Sequence, residues 1–266
     1  MEPKKKVIFC TPSLNGPTKA YIKAMEDSIP LILEAGYDEG YAQEIGNVYI
    51  SAARSFMLRK AITAQADIIV FIDYDLSWDP KDLLTLVETE GDVVAGTYRF
   101  KKDEEDYMGQ IETDEKGYPI TRQDGCIKAK HLPAGFLKIT PSLLHKFMVA
   151  YPELVYGPLY HPNVDLFHHG AHKRIWYSED YAFSRNCVDM GVDIWLLPNL
   201  NLNHHDVKHD EKEYKGNFHE FMLRRPGGSK YAPPQEVKEE IKSSDKGFNL
   251  YQSWNEHVKN LKENTG

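Results

Sequence analysis

Cysteine is scarce: Cys10, Cys126 and Cys187 are the only three in 266 residues. An odd, widely spaced set supports neither a disulfide framework nor a zinc site built on paired cysteines, so buried free thiols are expected. Long apolar runs are missing too. No segment reaches the roughly 18 to 20 consecutive apolar residues of a membrane helix. The start lacks the apolar stretch of a signal peptide, and together these absences predict a cytoplasmic protein without a membrane span. Basic charge is in deficit, with 32 Lys and Arg against 40 Asp and Glu and a formal net charge of -8. Broad neutralisation of nucleic-acid phosphates needs the opposite balance, so that mode of binding is not expected. The one dense basic run, Lys4-Lys5-Lys6, reads as a solvated start before the first strand.

What is present describes a folded chain. Hydrophobic residues make up 41% and charged residues 27%, a globular profile. The length suits one α/β domain with an appended tail and is cramped for two.

Val7-Ile8-Phe9-Cys10 reads as a short buried strand that empties into a turn-rich loop, Thr11 to Pro17. Residues 18–35 follow as a helix, since Tyr21, Ile22, Met25, Ile29, Ile32 and Leu33 recur at spacings of three and four. Pro30 requires a kink or a break there. A second helix runs over about 51–64. The β-branched run 67–72 then predicts a central strand buried on both faces. Pro80 fits the first turn of a helix to residue 88, and residues 92–96 read as the next strand. This alternation predicts an α/β fold with parallel pairing. Residues 99–125 are charged and poor in apolar side chains, which predicts a mobile loop or a peripheral hairpin. Order resumes at residues 132–139, with helices at 141–150 and 178–190, a stop at Gly191, and a short strand at 194–197. Beyond about His219 the composition turns to Lys, Glu, Ser and Gly, a tail that packs as helices or stays partly loose.

Asp73 and Asp75 stand at the carboxyl end of the most apolar strand, where open α/β sheets bind ligands. Alternation along an extended chain would put both carboxylates on one side with Tyr74 opposite, ready for a hard cation such as Mg2+ or Mn2+ that shares phosphate oxygens. By themselves the two aspartates serve equally well as a strand cap and turn.

The run Phe71 to Pro80 resembles the D-x-D stretch of GT-A glycosyltransferases, especially family-2-like members of the nucleotide-diphospho-sugar transferase superfamily. Three further segments are similar to motifs of that family, in the same order. Ser51-Ala52-Ala53-Arg54-Ser55 resembles the helix start before the D-x-D strand, which implies Arg54 near the donor diphosphate; a surface helix arginine is the plain alternative. Tyr177 to Arg185 is similar to the "E-D-x-x-F-x-x-R" segment, which implies Asp180 as general base, with Glu179 as alternative and helix capping as the bland reading. Ile194 to His205 is similar to a strand pair ending in "P-x-x-x-x-x-H", which implies His204 as a ligand of the metal or diphosphate. Pro133 to Leu137 also resembles the "G-x-G-F-L" strand, where Gly135 lets the backbone approach the donor sugar. Pro133 replaces a common glycine there and would reshape the sugar pocket.

The resemblance implies a GT-A-like α/β/α sandwich with a mixed, mostly parallel central sheet and a C-terminal tail. Its domain would span 1–218, with a nucleotide half of about 1–100, an acceptor half of about 126–218, and an extension at 219–266. It implies a metal-dependent, inverting transfer of a sugar from a nucleotide-diphosphate donor to a saccharide or other hydroxyl-bearing acceptor. Thr11, Pro12, Ser13, Arg54, Tyr74 and Gly135 would line the donor, and Asp73, Asp75 and His204 would hold Mn2+ or Mg2+. A sugar nucleotidyltransferase is the enzymatic rival, but its glycine-rich basic loop is lacking at Thr11 to Gly16. A non-catalytic nucleotide- or carbohydrate-binding module is the other. His168, His169, His172, His205 and His209 read as exposed polar residues, and the aromatic residues around Tyr156 to Tyr160 and Trp176-Tyr177 read as core packing or sugar-stacking surface. Donor, acceptor, linkage and oligomeric state are not legible.

Overall fold

The computed structural model describes residues 4–207 and 212–225, with Lys259 alone beyond them. The first strand, β1 (Lys6–Ser13), continues through residues 11–13 instead of opening a loop after Cys10. A parallel partner, β2 (Asp38–Ile45), pairs with it from Lys6 opposite Asp38 to Ser13 opposite Ile45. On the other side β3 (Ile68–Ile72) pairs with β1 only as far as Cys10, so Pro12 has a sheet neighbour on one side alone, the setting in which a strand tolerates proline.

Helix α1 (Lys19–Glu34) is capped by Thr18, whose Oγ1 accepts the Tyr21 N–H at 3.1 Å. It runs through Pro30 without the break that the sequence allowed for. Pro30 and Glu26 both lie on the exposed face, where the carbonyl that proline leaves unbonded meets water. Helix α2 (Ile50–Thr63) precedes β3, all of whose residues are buried. After β3 come a short strand β4 (Leu76–Trp78), helix α3 (Pro80–Glu88) with Pro80 in its first turn, and β5 (Val93–Ala95).

The segment expected to be a mobile loop or peripheral hairpin is peripheral and hairpin-like. It carries β6 (Gln110–Ile111) on the outer edge of β7 (Ile127–His131) and closes on itself through bridges such as Arg99 to Tyr107 and Thr113 to Pro119. Tyr107, its one fully buried aromatic residue, anchors it to the domain. Strand β8 (Phe136–Ile139) and helix α4 (Pro141–Ala150) follow. Two small ribbons come next, β9 (Val155–Tyr156) with β10 (Asn163–Val164) and β11 (Gly170–His172) with β12 (Ile175–Tyr177). Helix α5 (Glu179–Asp189), strands β13 (Trp195–Leu196), β14 (Asn201–Asp206) and β15 (Lys212–Asn217), and helix α6 (Phe218–Arg224) complete the described chain.

The central sheet has eight strands in the order β2-β1-β3-β8-β5-β13-β7-β6. It is mixed and mostly of one direction: β8 and β7 run against the other six. The parallel pairing expected of consecutive strands is therefore interrupted, because β8 lies between β3 and β5 and pairs antiparallel with each. Alternation along the buried strands feeds two separate cores. Ile69 and Phe71 pack with Met57 and Leu58 of α2, Phe147 of α4 and Phe183 of α5. Ile68, Val70 and Ile72 pack with Tyr21 and Ile32 of α1 and Leu83 and Leu86 of α3. Helices thus cover both faces of one sheet, a three-layer α/β/α arrangement.

Cys10, Cys126 and Cys187 are buried free thiols, as the sequence predicts. No helix among the described residues is long and apolar enough to cross a membrane. Of the extension 219–266, only 219–225 and Lys259 lie within the described residues.

Candidate active site

Beyond Ile72 the chain turns at Asp73-Tyr74-Asp75 into β4, and the Leu76 N–H bonds the Asp73 carbonyl at 3.2 Å. The backbone is not extended here, so the expectation that strand alternation sets the two carboxylates side by side is corrected. They face different partners across one cleft of about 370 Å³, whose lining includes Asp73, Asp75 and Tyr74.

Asp73 follows Ile69 and Phe71 toward the layer formed by α2 and α5. Arg54, in the first turns of α2, places Nη2 3.1 Å from Asp73 Oδ1 and Nη1 3.1 Å from Glu179 Oε1 at the start of α5. Its guanidinium lies over the Phe167 ring, 5.0 Å from the centroid, and the side chain is only 3% exposed. A surface helix arginine is thereby excluded. Burial works against the charge on Arg54, but Asp73 and Glu179 more than offset it and hold its pKa above the ordinary value. Burial raises the Asp73 carboxyl in turn, with Asp75 adding to the rise and Arg54 opposing it.

Tyr98, just past β5, donates its hydroxyl to Asp73 Oδ2 at 3.3 Å. Gly135 explains how these groups come so close. A Cβ at that position would collide with the Tyr98 hydroxyl and the Asp73 carboxylate, and the Gly135 carbonyl accepts the Asp73 N–H at 2.9 Å. Pro133 is buried, and Ala134 rather than Pro133 reaches the cleft.

Asp75 faces the second sheet, in which β14 lies between β15 and β4 with His204 opposite Leu76. His204 Nδ1 is 2.8 Å from the Arg99 carbonyl oxygen, an acceptor, so the ring hydrogen sits on Nδ1. In the neutral ring Nε2 then presents a lone pair to Asp75 Oδ2, 3.5 Å away. A lone pair and a carboxylate oxygen at that separation call for a proton or another cation between or beside them. Lys101 supplies one, with Nζ 2.5 Å from the same oxygen. Burial alone would raise the Asp75 carboxyl, but Lys101, and His204 whenever its Nε2 carries a proton to donate, outweigh it and hold the carboxyl below its usual range.

Asp180, next to Glu179, also lines the cleft. It accepts the Ser178 hydroxyl at 2.7 Å and the Tyr181 N–H at 2.9 Å, both on Oδ1. Burial raises its carboxyl, the Ser178 bond opposes that, and Glu179 adds to it.

Of the residues that the sequence singled out, Pro12, Ser13, Arg54, Asp73, Tyr74, Asp75, Glu179, Asp180 and His204 line this cleft. Thr11 and Gly135 do not: Thr11 is buried, with its hydroxyl 2.5 Å from that of Tyr21, and Gly135 sits against the Asp73 carboxylate and the Tyr98 hydroxyl. Among the described residues no group of three or more His, Cys, Asp and Glu is arranged to hold a metal ion. The available protein pair is Asp75 with His204. His205, expected to be exposed, is buried, with its Nε2 satisfied by Ser77 Oγ of β4 at 2.8 Å. His168 and His169 are exposed, His172 is half-buried, and His209 lies outside the described residues. Trp176 is 71% exposed and Tyr160 57%, so core packing is excluded for both. Sequence reasoning missed Tyr98 and Lys101. A tyrosine two residues past a glycine-ended strand was the one available signal for the first, and the second had none.

No protein-family model and no curated protein matches the sequence. Among solved structures the chain is similar to a glycosyltransferase involved in the glycosylation of the major capsid of PBCV-1. That match has 12% identity and a TM-score of 0.32, covering 56% of this chain and 66% of that one. It is also similar to S. aureus TarS 1-349, at 12% identity and a TM-score of 0.40, over 82% of this chain and 63% of that one. A second TarS structure matches at 11% identity and a TM-score of 0.39, over 73% of this chain and 35% of that one. The chain thus spans between about a third and two thirds of these proteins' lengths. At such scores the likeness carries no weight for chemistry. The domain itself is a mixed, mostly one-directional sheet between helical layers with its cleft at the carboxyl end of β3, the α/β/α arrangement that the sequence resemblance implies.

Proposed function

We propose that this chain transfers a sugar from a nucleotide-diphosphate donor to an acceptor hydroxyl, with Mn2+ or Mg2+ held by Asp75 and His204. The observation that carries the proposal is the pairing of a carboxylate with an imidazole lone pair whose direction is fixed by a backbone carbonyl. A histidine that donates its other ring N–H to a carbonyl is the usual form of a metal-ligating imidazole. Asp75 and His204 would supply two ligands, and phosphate oxygens of the donor together with water would supply the rest, as Mg2+-type sites in nucleotide enzymes generally do.

Arg54 lies behind Asp73 and orients it through one arm of its guanidinium, while the other arm fixes Glu179 at the head of α5. Glu179 is thereby engaged, which leaves its neighbour Asp180 as the carboxylate for the acceptor. Asp180 takes the hydroxyl proton as the acceptor oxygen forms its bond to the anomeric carbon. The bond from that carbon to the phosphate oxygen breaks, and the electron pair leaves with the nucleoside diphosphate. When bound, the cation supplies positive charge to the phosphate oxygens on which negative charge develops. A single displacement of this kind inverts the anomeric centre. The acceptor is a saccharide or another hydroxyl-bearing molecule.

A thermal-shift screen of nucleoside diphosphates and nucleotide sugars, with and without Mn2+, tests the reading through binding linkage. Selective stabilisation that needs Mn2+ and disappears in Asp75→Asn is expected. Stabilisation by a nucleotide sugar without any transfer or hydrolysis would favour a binding module, and release of pyrophosphate from a nucleoside triphosphate and a sugar phosphate would favour a nucleotidyltransferase.

A further inference from the structure

Residues 99–107 form a tightly closed loop beside the cleft. The Phe100 N–H bonds the Asp106 carbonyl at 3.0 Å, and the Lys102 N–H bonds the Phe100 carbonyl at 2.8 Å. The Arg99 guanidinium donates to the carbonyls of Lys102 and Asp103 at 3.2 and 3.0 Å. The Lys102 ammonium reaches Asp106 at 2.8 Å. At the loop's base Tyr107 packs against the neighbouring rings of Phe218 and Phe221, with centroids 5.3 and 4.9 Å away. Lys101 is therefore presented by a braced element rather than a slack one.

That loop acts on Asp75 twice. The Arg99 carbonyl sets the hydrogen on His204 Nδ1, and Lys101 places its ammonium 2.5 Å from Asp75 Oδ2, the same oxygen that faces His204 Nε2. An ion coordinated by Oδ2 and Nε2 would sit about 2.0–2.2 Å from each. An ammonium at 2.5 Å from that oxygen brings a second positive charge into the same few ångströms, and two cations that close repel strongly beside the buried Asp75 and His204. The ammonium needs another anion before it can leave, and the proposed donor brings one.

We propose that Lys101 is a donor-phosphate ligand that guards the cation site: it neutralises Asp75 in the empty protein and passes to a diphosphate oxygen when cation and donor enter together. The proposal rests on the functional reading above. Its consequence is that cation and diphosphate bind cooperatively, because the diphosphate removes the competitor of the cation, and by linkage each raises the affinity of the other by one common factor. The loop that carries Lys101 thereby becomes a specificity element for diphosphate over bare metal.

The test is a titration of Mn2+, read by the electron paramagnetic resonance signal of the free ion, into the full chain and its Lys101→Met, Lys101→Arg and Asp75→Asn variants. It is done with and without inorganic pyrophosphate, which carries the diphosphate without committing to a base. Lys101→Met should bind Mn2+ alone about tenfold more tightly than the unaltered chain, lose about tenfold in affinity for Mn2+-pyrophosphate, and show a smaller coupling, within the range of ordinary site-to-site couplings. Lys101→Arg keeps a cation on the loop and should keep Mn2+ alone weak. Asp75-dependent Mn2+ binding that is unmoved by Lys101→Met overturns the role of Lys101 and leaves the functional reading standing. Mn2+ binding that is absent from every variant, or indifferent to Asp75, overturns both.

Discussion

Arg54 and Glu179 are 125 residues apart in the chain and 3.1 Å apart in the fold. One guanidinium therefore ties α2 to α5 and, through its other arm, to the end of β3. Losing it leaves two carboxylates facing each other without a counter-charge. Removing one partner of a buried pair costs about 3–5 kcal/mol. The low end applies here, because Asp73 and Glu179 keep 27% and 25% of their side chains in contact with solvent. We expect Arg54→Ala to lower unfolding stability by about 3 kcal/mol. Arg54→Lys should also be destabilised, since a lysine point charge cannot serve both carboxylates as the planar fork does. Urea denaturation reads both, and a Lys variant with the unaltered midpoint would show that the fork is not used.

Gly135 predicts a site lesion that touches no charged group. Adding one methyl forces the Tyr98 hydroxyl and the Asp73 carboxylate to move, and overpacking of this kind costs about 1–3 kcal/mol. Gly135→Ala should remain folded, melt earlier, and lose Mn2+-dependent nucleotide affinity in calorimetry. Adding Tyr98→Phe removes the nearest obstacle and should recover part of the melting temperature. If Gly135→Ala binds like the unaltered chain, Asp73 has no part in the donor site.

Asp180 sets an acid limb. A general base must be ionised to work, and burial raises this carboxyl, so turnover should fall as pH drops through a value above that of an ordinary aspartate. Asp180→Asn should lower turnover by about 10² to 10⁴ while donor affinity survives. The residual activity should lose the acid limb. A limb that persists in Asp180→Asn and vanishes in Glu179→Gln would transfer the role to the neighbour.

Asp82 makes the stability of the fold depend on pH. It accepts the Asn201 N–H at 2.7 Å where α3 meets β14, and burial raises its carboxyl to about 6, with Asp79 adding to the rise. For a carboxyl whose folded value lies above its unfolded one, the native state holds the proton more tightly. The stabilisation is complete below the unfolded value of about 3.9 and is lost as pH rises through the folded value. Melting temperatures measured from pH 4 to 7 should show a decline from this group that Asp82→Asn removes. An unchanged profile in the variant would reject the assignment.

Much of the framework was legible because its physics is local. Helices α3 and α4 announce themselves by proline in the first turn, α5 stops at Gly191, and β3 is a continuous β-branched run. Strand β2 was not legible, since Asp38-Glu39-Gly40-Tyr41 carries no apolar period and an edge strand needs none. The hairpin of β14 and β15 was hidden in the same way by asparagine, histidine and lysine. The pairing of Arg54 with Glu179 could not be read from either helix, since it depends on which faces the sheet turns together. Lys101 belongs to a segment without period, and loop closure alone sets its place over Asp75.

Strand β8 has a consequence for modularity. It comes from the second half of the described domain, yet it lies between β3 and β5 of the first half and supplies Gly135 beneath Asp73. Groups that face the proposed donor and groups that face the proposed acceptor are thus interleaved in one sheet rather than arranged in tandem. Exchanging a contiguous block of sequence with a relative would carry half of a packing interface into a foreign partner. A change of donor preference in this architecture is accessible to substitutions spread along the chain and closed to the swapping of segments.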